Sequence, residues 1–200
     1  MKRIGLDFDN TIACYDQAFH QVAVIQKLLP AEPVLDKRGV KDEVIRLHGE
    51  SHWTRLQGFM YGSEIGRARP FDGCLPFVRQ AVQLGWQVWV VSHKSPTPVL
   101  GAPWDLHKAA RDWLGHQGFW EAGLDPERVF FEPTREAKLQ RITQLHCQVF
   151  VDDLAEVFRE ELFPAAVERW LFHPNPPEGP WRPMRDWQSA SAWLQPASGE

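Results

Sequence analysis

Ile4-Gly5-Leu6-Asp7-Phe8-Asp9-Asn10-Thr11 is an apolar run that stops abruptly at turn- and cap-forming residues, the pattern of a buried strand ending in a loop. Runs of the same kind recur at Trp86–Val91, Val129–Phe131, Cys147–Val151 and Arg169–Phe172. Stretches of helical period separate them: Leu75, Val78 and Val82 before Gly85; Leu106, Ala109, Ala110 and Trp113; and Ala137, Leu139, Ile142 and Leu145 behind Thr134, which is placed to act as an N-cap. Strands that are nearly continuous in apolar character must be covered on both faces, and strands alternating with helices can pair in parallel. The pattern predicts a doubly wound α/β domain with a mainly parallel, Rossmann-like sheet of five strands.

The insertion between the first and second strands is much longer than one crossover needs. Within it Tyr15, Phe19, Val22, Gln26 and Leu29 trace a helical stripe up to Pro30. Val40, Val44 and Leu47 suggest a second helix, and Trp53, Leu56 and Met60 a third that stops near Gly62. Residues 12–70 are therefore expected to form a small helical cap, with 1–11 and 71–200 forming the core. The tail from Pro174 to Pro183 is too rich in proline to be regular, and a last helix is expected around Trp187, Ala190 and Leu194.

Composition narrows the function classes. At 200 residues the chain can build one core with a small accessory domain, but not two large ones. A net charge of -4 offers no general attraction to a nucleic-acid polymer, so an anionic ligand must be held by local donors or a metal. Cys14, Cys74 and Cys147 lack zinc or disulfide spacing and read as reduced core residues of a cytoplasmic protein. Asp7 and Asp9 interrupt the first apolar run, so it is not a signal-peptide core, and no apolar stretch approaches membrane-spanning length.

Four features fall where a doubly wound sheet gathers its reactive groups, beyond the carboxyl ends of its strands. Asp7 and Asp9 leave the first strand two residues apart, so that one can serve as a metal-bound anion while the other moves protons. Ser92 follows the run Val88–Val91 and offers a hydroxyl at the same edge; Lys138, in the first turns of a helix, offers an ammonium. Asp152 and Asp153 end a buried strand, a costly placement unless a hard cation or hydrogen-bond donors compensate. Each feature alone has a bland alternative, since acids cap helices, serines end strands and lysines face water.

In this order, Asp7-Phe8-Asp9-Asn10-Thr11, Ser92, Lys138 and Asp152-Asp153 resemble the four signature motifs of the haloacid dehalogenase superfamily of hydrolases, over about residues 1–172. The resemblance implies that Asp7 attacks phosphorus and forms an aspartyl-phosphate, and that Asp9 protonates the leaving oxygen and later activates water. It also implies that Ser92 and Lys138 bind the phosphoryl oxygens. Mg²⁺ would be held by Asp7, the backbone carbonyl of Asp9, and Asp152, with Asp153 acting through water or by orienting Lys138. An anionic nucleophile cannot approach an anionic phosphate until cations reduce the repulsion. Because Asp9 is present, phosphate-ester hydrolysis is preferred over carbon–halogen cleavage.

The expected substrate is a small phosphorylated metabolite, a sugar phosphate or nucleotide, under the cap. Candidate substrate contacts are Asn10, Trp53 and Arg55, and His93 and Lys94 on the loop that follows Ser92. Trp53 reads equally well as cap core and Arg55 as a solvated charge. His93 and His107 as zinc ligands are a weak option without a third ligand. Phosphoryl transfer to a second acceptor, as in a phosphotransferase or phosphomutase, and a non-catalytic binding or regulatory protein are the alternatives. The oligomeric state is not legible. The central expectation is that Asp7, Asp9, Ser92, Lys138 and Asp152 meet around one cavity; Asp7 and Asp152 at opposite ends of the sheet would overturn the whole reading.

Overall fold

The computed structural model describes residues 2–196. The main sheet contains β1 (Arg3–Leu6), β4 (Gln87–His93), β5 (Val129–Glu132), β6 (Val149–Asp152), β7 (Glu168–Phe172) and β8 (Arg182–Met184), in the order β5-β4-β1-β6-β7-β8 with every pair parallel, while β2 (Ala13–Cys14) and β3 (Arg69–Pro70) form a separate two-stranded pair. The chain returns to opposite sides of β1: β4 and β5 extend the sheet one way, β6 to β8 the other. Loops leaving β1 and β6 diverge at that reversal, the position at which doubly wound sheets place their ligands. Leu6 is level with Val90 on one side and Val151 on the other, so Asp7, Ser92 and Asp152 emerge at one edge.

Period-two alternation divides the side chains between the faces. Val91, Phe150 and Leu171 bury against Leu139 and Ile142 of α6 (Arg135–Gln144) and against Val157 and Phe158 of α7 (Ala155–Arg159). On the other face Trp170 and Phe172 meet Phe77 of α4 (Cys74–Gln83) and Trp187 of α8 (Trp187–Ser191). Helix α6 begins where Thr134 accepts a hydrogen bond from the Ala137 amide at 3.1 Å, an N-cap that fixes the phase of Lys138.

The sequence predicted a five-stranded sheet, and the structure adds a sixth strand to it. Arg182–Met184 pairs with Trp170–Phe172 inside the proline-rich tail expected to be irregular. Pro183 cannot donate to a ladder, but β8 is the edge strand, where a missing N–H is tolerated. The neighbouring bond from the His173 amide to the Met184 carbonyl continues the pairing at 2.9 Å.

The chain divides into two compact units. The sheet unit takes the chain up to Ala13, Pro70–Lys94, and from Leu114 onward; the other holds Cys14–Arg69 and Ser95–Trp113. Residues 95–113 therefore join the helical unit rather than the core to which the sequence assigned them. Glycines on α3 (Glu50–Tyr61) and at its end explain this. A side chain at Gly58 would meet the Leu100 carbonyl oxygen at 2.9 Å, and one at Gly62 would strike the Trp104 ring, so only glycine lets this segment lie against the helix. The indole of Trp113, on α5 (Leu106–His116), also donates to the Ala68 carbonyl at 3.0 Å.

Within the helical unit α1 (Asp16–Ile25), α2 (Lys37–His48) and α3 pack pairwise around Phe19, which stacks on Trp53 at 5.0 Å and meets Tyr61 edge-on. Helix α1 stops short of Pro30 because Lys27 takes a left-handed conformation, with φ of 57°, and turns the chain. Leu47, placed on the second helical stripe, is exposed, while Val40 and Val44 are buried. The three cysteines are free, and burial pushes the Cys147 thiol up to about 12, leaving it an inert core group. Among the described residues no helix is long and apolar enough to cross a membrane.

Gly5 lies in β1 between two neighbouring strands, and a Cβ there would overlap the buried Phe150 ring. Gly5→Ala is expected to cost about 1–3 kcal/mol of stability by overpacking, read from the urea midpoint. An unchanged midpoint would mean that the sheet is less tightly fixed at β1 than described.

Candidate active site

Asp7 is the first residue past β1, and its amide still donates to the Val151 carbonyl at 2.9 Å. Its side chain is thereby held at the sheet edge beside Asp152, the last residue of β6. Lys138 reaches both from α6: its Nζ lies 2.6 Å from Asp7 Oδ1 and 2.6 Å from Asp152 Oδ2. All three groups are buried, Asp152 completely. Asp152 Oδ1 also accepts the Leu154 amide at 2.9 Å, which fixes the carboxylate plane.

Two carboxylates and one ammonium leave an excess negative charge in a medium that solvates it poorly. Burial raises the Asp7 carboxyl from 3.8 to about 6; the charge of Lys138 opposes the rise and that of Asp152 adds to it. Burial disfavours the Lys138 ammonium as well, but Asp152 and Asp7 outweigh that and hold it above its ordinary range. Asp153, half-buried, accepts the Thr11 hydroxyl at 3.3 Å. Carboxylate oxygens of Asp7, Asp152 and Asp153 lie within 4.8 Å of one another. Three hard oxygen donors carrying surplus negative charge fit a hard divalent cation such as Mg²⁺.

Asp9 lies where the chain turns away from β1, and Lys94 Nζ contacts both of its carboxylate oxygens, at 3.1 and 2.9 Å. The following turn depends on Asn10, whose φ of 60° suits asparagine better than most residues; its amide donates to the Ala13 carbonyl at 2.9 Å. Ser92 is buried near the end of β4, paired with Phe131. Lys94, two residues on, shares its strand parity and is also buried, whereas His93 is exposed.

Asp7, Lys138 and Asp152 are thus in direct contact, with Asp153 beside them and Asp9 and Ser92 at the same sheet edge. The candidate substrate contacts fare differently. Trp53 is buried and stacked on Phe19, so its ring packs within the helical unit. Arg55 is exposed on α3. Lys94, a candidate substrate contact, pairs with Asp9; its period-two relation to Ser92 is the sequence signal for its burial. Thr11, read only as a turn former, also supports Asp153.

No family model and no curated protein matches the chain. Solved structures do. A HAD-superfamily hydrolase from Ehrlichia chaffeensis superposes with a TM-score of 0.55 at 13% identity, covering 96% of this chain and 97% of its own. A HAD phosphatase from Thermococcus onnurineus gives 0.54 at 13% identity, covering 98% and 99%. A HAD family hydrolase from Deinococcus radiodurans with bound phosphate and sodium gives 0.52 at 13% identity, covering 96% and 87%.

The Asp7 carboxyl makes the site costly to build. Its folded value of about 6 lies above 3.8, so its contribution to stability is present below 3.8 and lost as pH rises through 6. Asp7→Asn removes the buried charge while leaving an oxygen for Lys138. In chelator-treated protein the variant is expected to be more stable than wild type by on the order of 2 kcal/mol at pH 7.5, with the difference closing near pH 4. Parallel unfolding curves at the two pH values check it; a variant less stable at pH 7.5 would refute the charge imbalance. Likeness over nearly the whole chain at 13% identity is likeness of fold: the chain has the fold of the haloacid dehalogenase-superfamily hydrolases.

Proposed function

We infer that this chain is a Mg²⁺-dependent phosphatase that hydrolyses a small phosphorylated metabolite, a sugar phosphate or nucleotide, through an aspartyl-phosphate on Asp7. The observation that carries the reading is the buried Asp7 carboxylate sharing the Lys138 ammonium with Asp152 at the carboxyl end of the central strand, with Asp153 completing an acidic trio. A fold needs no such group for stability, since burying surplus carboxylate is costly.

Mg²⁺ would be held by Asp7, Asp152 and the Asp9 backbone carbonyl, with Asp153 adjacent, and when bound would supply positive charge against the phosphoryl oxygens. Asp7 attacks phosphorus through one carboxylate oxygen; the new P–O bond forms as the ester P–O bond breaks, and Asp9 gives a proton to the departing oxygen. Water then attacks the same phosphorus, Asp9 takes its proton, and the bond to Asp7 breaks to release phosphate. Lys138 moves from neutralising Asp7 to binding a phosphoryl oxygen, with the Ser92 hydroxyl a second donor.

The test is phosphate release from a panel of sugar phosphates, nucleotides and aryl phosphates, with and without Mg²⁺. Asp7→Asn is expected to abolish metal-dependent release, because an amide is not a nucleophile. Asp9→Asn is expected to lose about 10²–10⁴-fold on alkyl esters and much less on p-nitrophenyl phosphate, whose leaving group needs little protonation. Full activity in Asp7→Asn would sink the proposal.

A further inference from the structure

We propose that Lys94 is a positioning residue for Asp9: its ammonium grips both carboxylate oxygens and sets the orientation from which Asp9 serves the leaving group. The inference rests on the phosphatase reading and deepens it.

Lys94 is among the few buried charged side chains, at 4% exposure, and the two contacts at 3.1 and 2.9 Å form a fork across the carboxylate. Surface lysines lie extended in water and hold an ion pair in many geometries. Here the backbone is fixed, because the Lys94 amide donates to the Glu132 carbonyl at 2.9 Å and so carries the β4–β5 ladder one residue past β4. The ammonium sits 5.4 Å from the centroid of the Phe8 ring, which itself packs edge-on against Phe131. Strand ladder and aromatic floor together leave the lysine little rotamer freedom.

Asp9 has the opposite problem. It lies past the end of β1, partly open to solvent with 21% of its side chain exposed, and a free carboxylate there would rotate. A general acid has to present one oxygen to the leaving atom within hydrogen-bond reach. The two contacts fix the plane of the carboxylate, so that the proton it gives to the ester oxygen, and in the second half-reaction takes from water, is exchanged from one set orientation. The order Ser92, His93, Lys94 then has a rationale in strand parity: Ser92 and Lys94 turn to the buried side and His93 to solvent.

The experiment measures kcat/KM with Mg²⁺ for a series of substituted phenyl phosphates, from p-nitrophenyl to unsubstituted phenyl, in wild type and in Lys94→Met, Lys94→Gln and Lys94→Arg. Lys94→Met is expected to lose about 10–100-fold on phenyl phosphate and less than about threefold on p-nitrophenyl phosphate, steepening the dependence on leaving-group basicity. Lys94→Arg, whose guanidinium can span two oxygens, should keep the wild-type slope, and Lys94→Gln should fall between. If the methionine variant does not fold, the glutamine–arginine comparison decides. In an Asp9→Asn background, Lys94→Met should add nothing, because the group it positions is gone. A uniform loss across the series, or full additivity with Asp9→Asn, would overturn the positioning role and return Lys94 to substrate binding. Absence of Mg²⁺-dependent hydrolysis in wild type would overturn the phosphatase reading itself, a separate result.

Discussion

The site is organised around one ammonium between two buried carboxylates. Lys138 is shared by Asp7 and Asp152, and it reaches them from a helix while they end two adjacent parallel strands. Like charges brought that close in a poorly solvating interior would drive the strands' ends apart or force protonation. Lysine meets the requirement only partly, which is why Asp7 remains hard to ionise and why the cluster suits a further cation.

The surrounding fold serves this arrangement in ordinary ways. Parallel strands pointing the same way collect their final residues at one edge, and the reversal of strand order around β1 opens the place where those residues meet. Buried aromatic layers hold the register: Phe150 fills the space left by Gly5, and Trp170 and Phe172 close the opposite face with Phe77 and Trp187. The Trp187 indole reaches back to the Thr11 carbonyl at 3.3 Å, so the tail helix contacts the loop that carries Asp9. Residues far from the chemistry thus restrain the backbone on which it depends.

The helical unit uses aromatic packing of its own. Phe19 is enclosed by Tyr15, Trp53 and Tyr61, and the Lys37 ammonium lies 5.3 to 5.8 Å from the centroids of three of these rings. Such a cluster gives a small set of short helices enough buried area to hold together. It also explains why an aromatic residue on an amphipathic helix is a poor guide to ligand contact: Trp53 is needed where it is.

Much of this was legible in the residues themselves. Apolar runs ending in Asp7, Ser92 and Asp152, with helical stripes between them, set strand and helix alternation, and alternation with full burial sets parallel pairing, because the causes are local periodicity and solvent exclusion. Thr134 marked the start of the helix that aims Lys138. Other features depended on partners remote in the chain. Pro183 lies in a strand only because β7 offers it a partner, and residues 95–113 join the helical unit only because Gly58 and Gly62 leave room along a distant helix and at its end. Lys94 finds Asp9, 85 positions away, through strand parity and the register of β1 against β4. Periodicity is written along the chain, whereas the choice of partner among several compatible charges or surfaces is made by packing, where exclusion of water and close contact act on residues that the sequence leaves far apart.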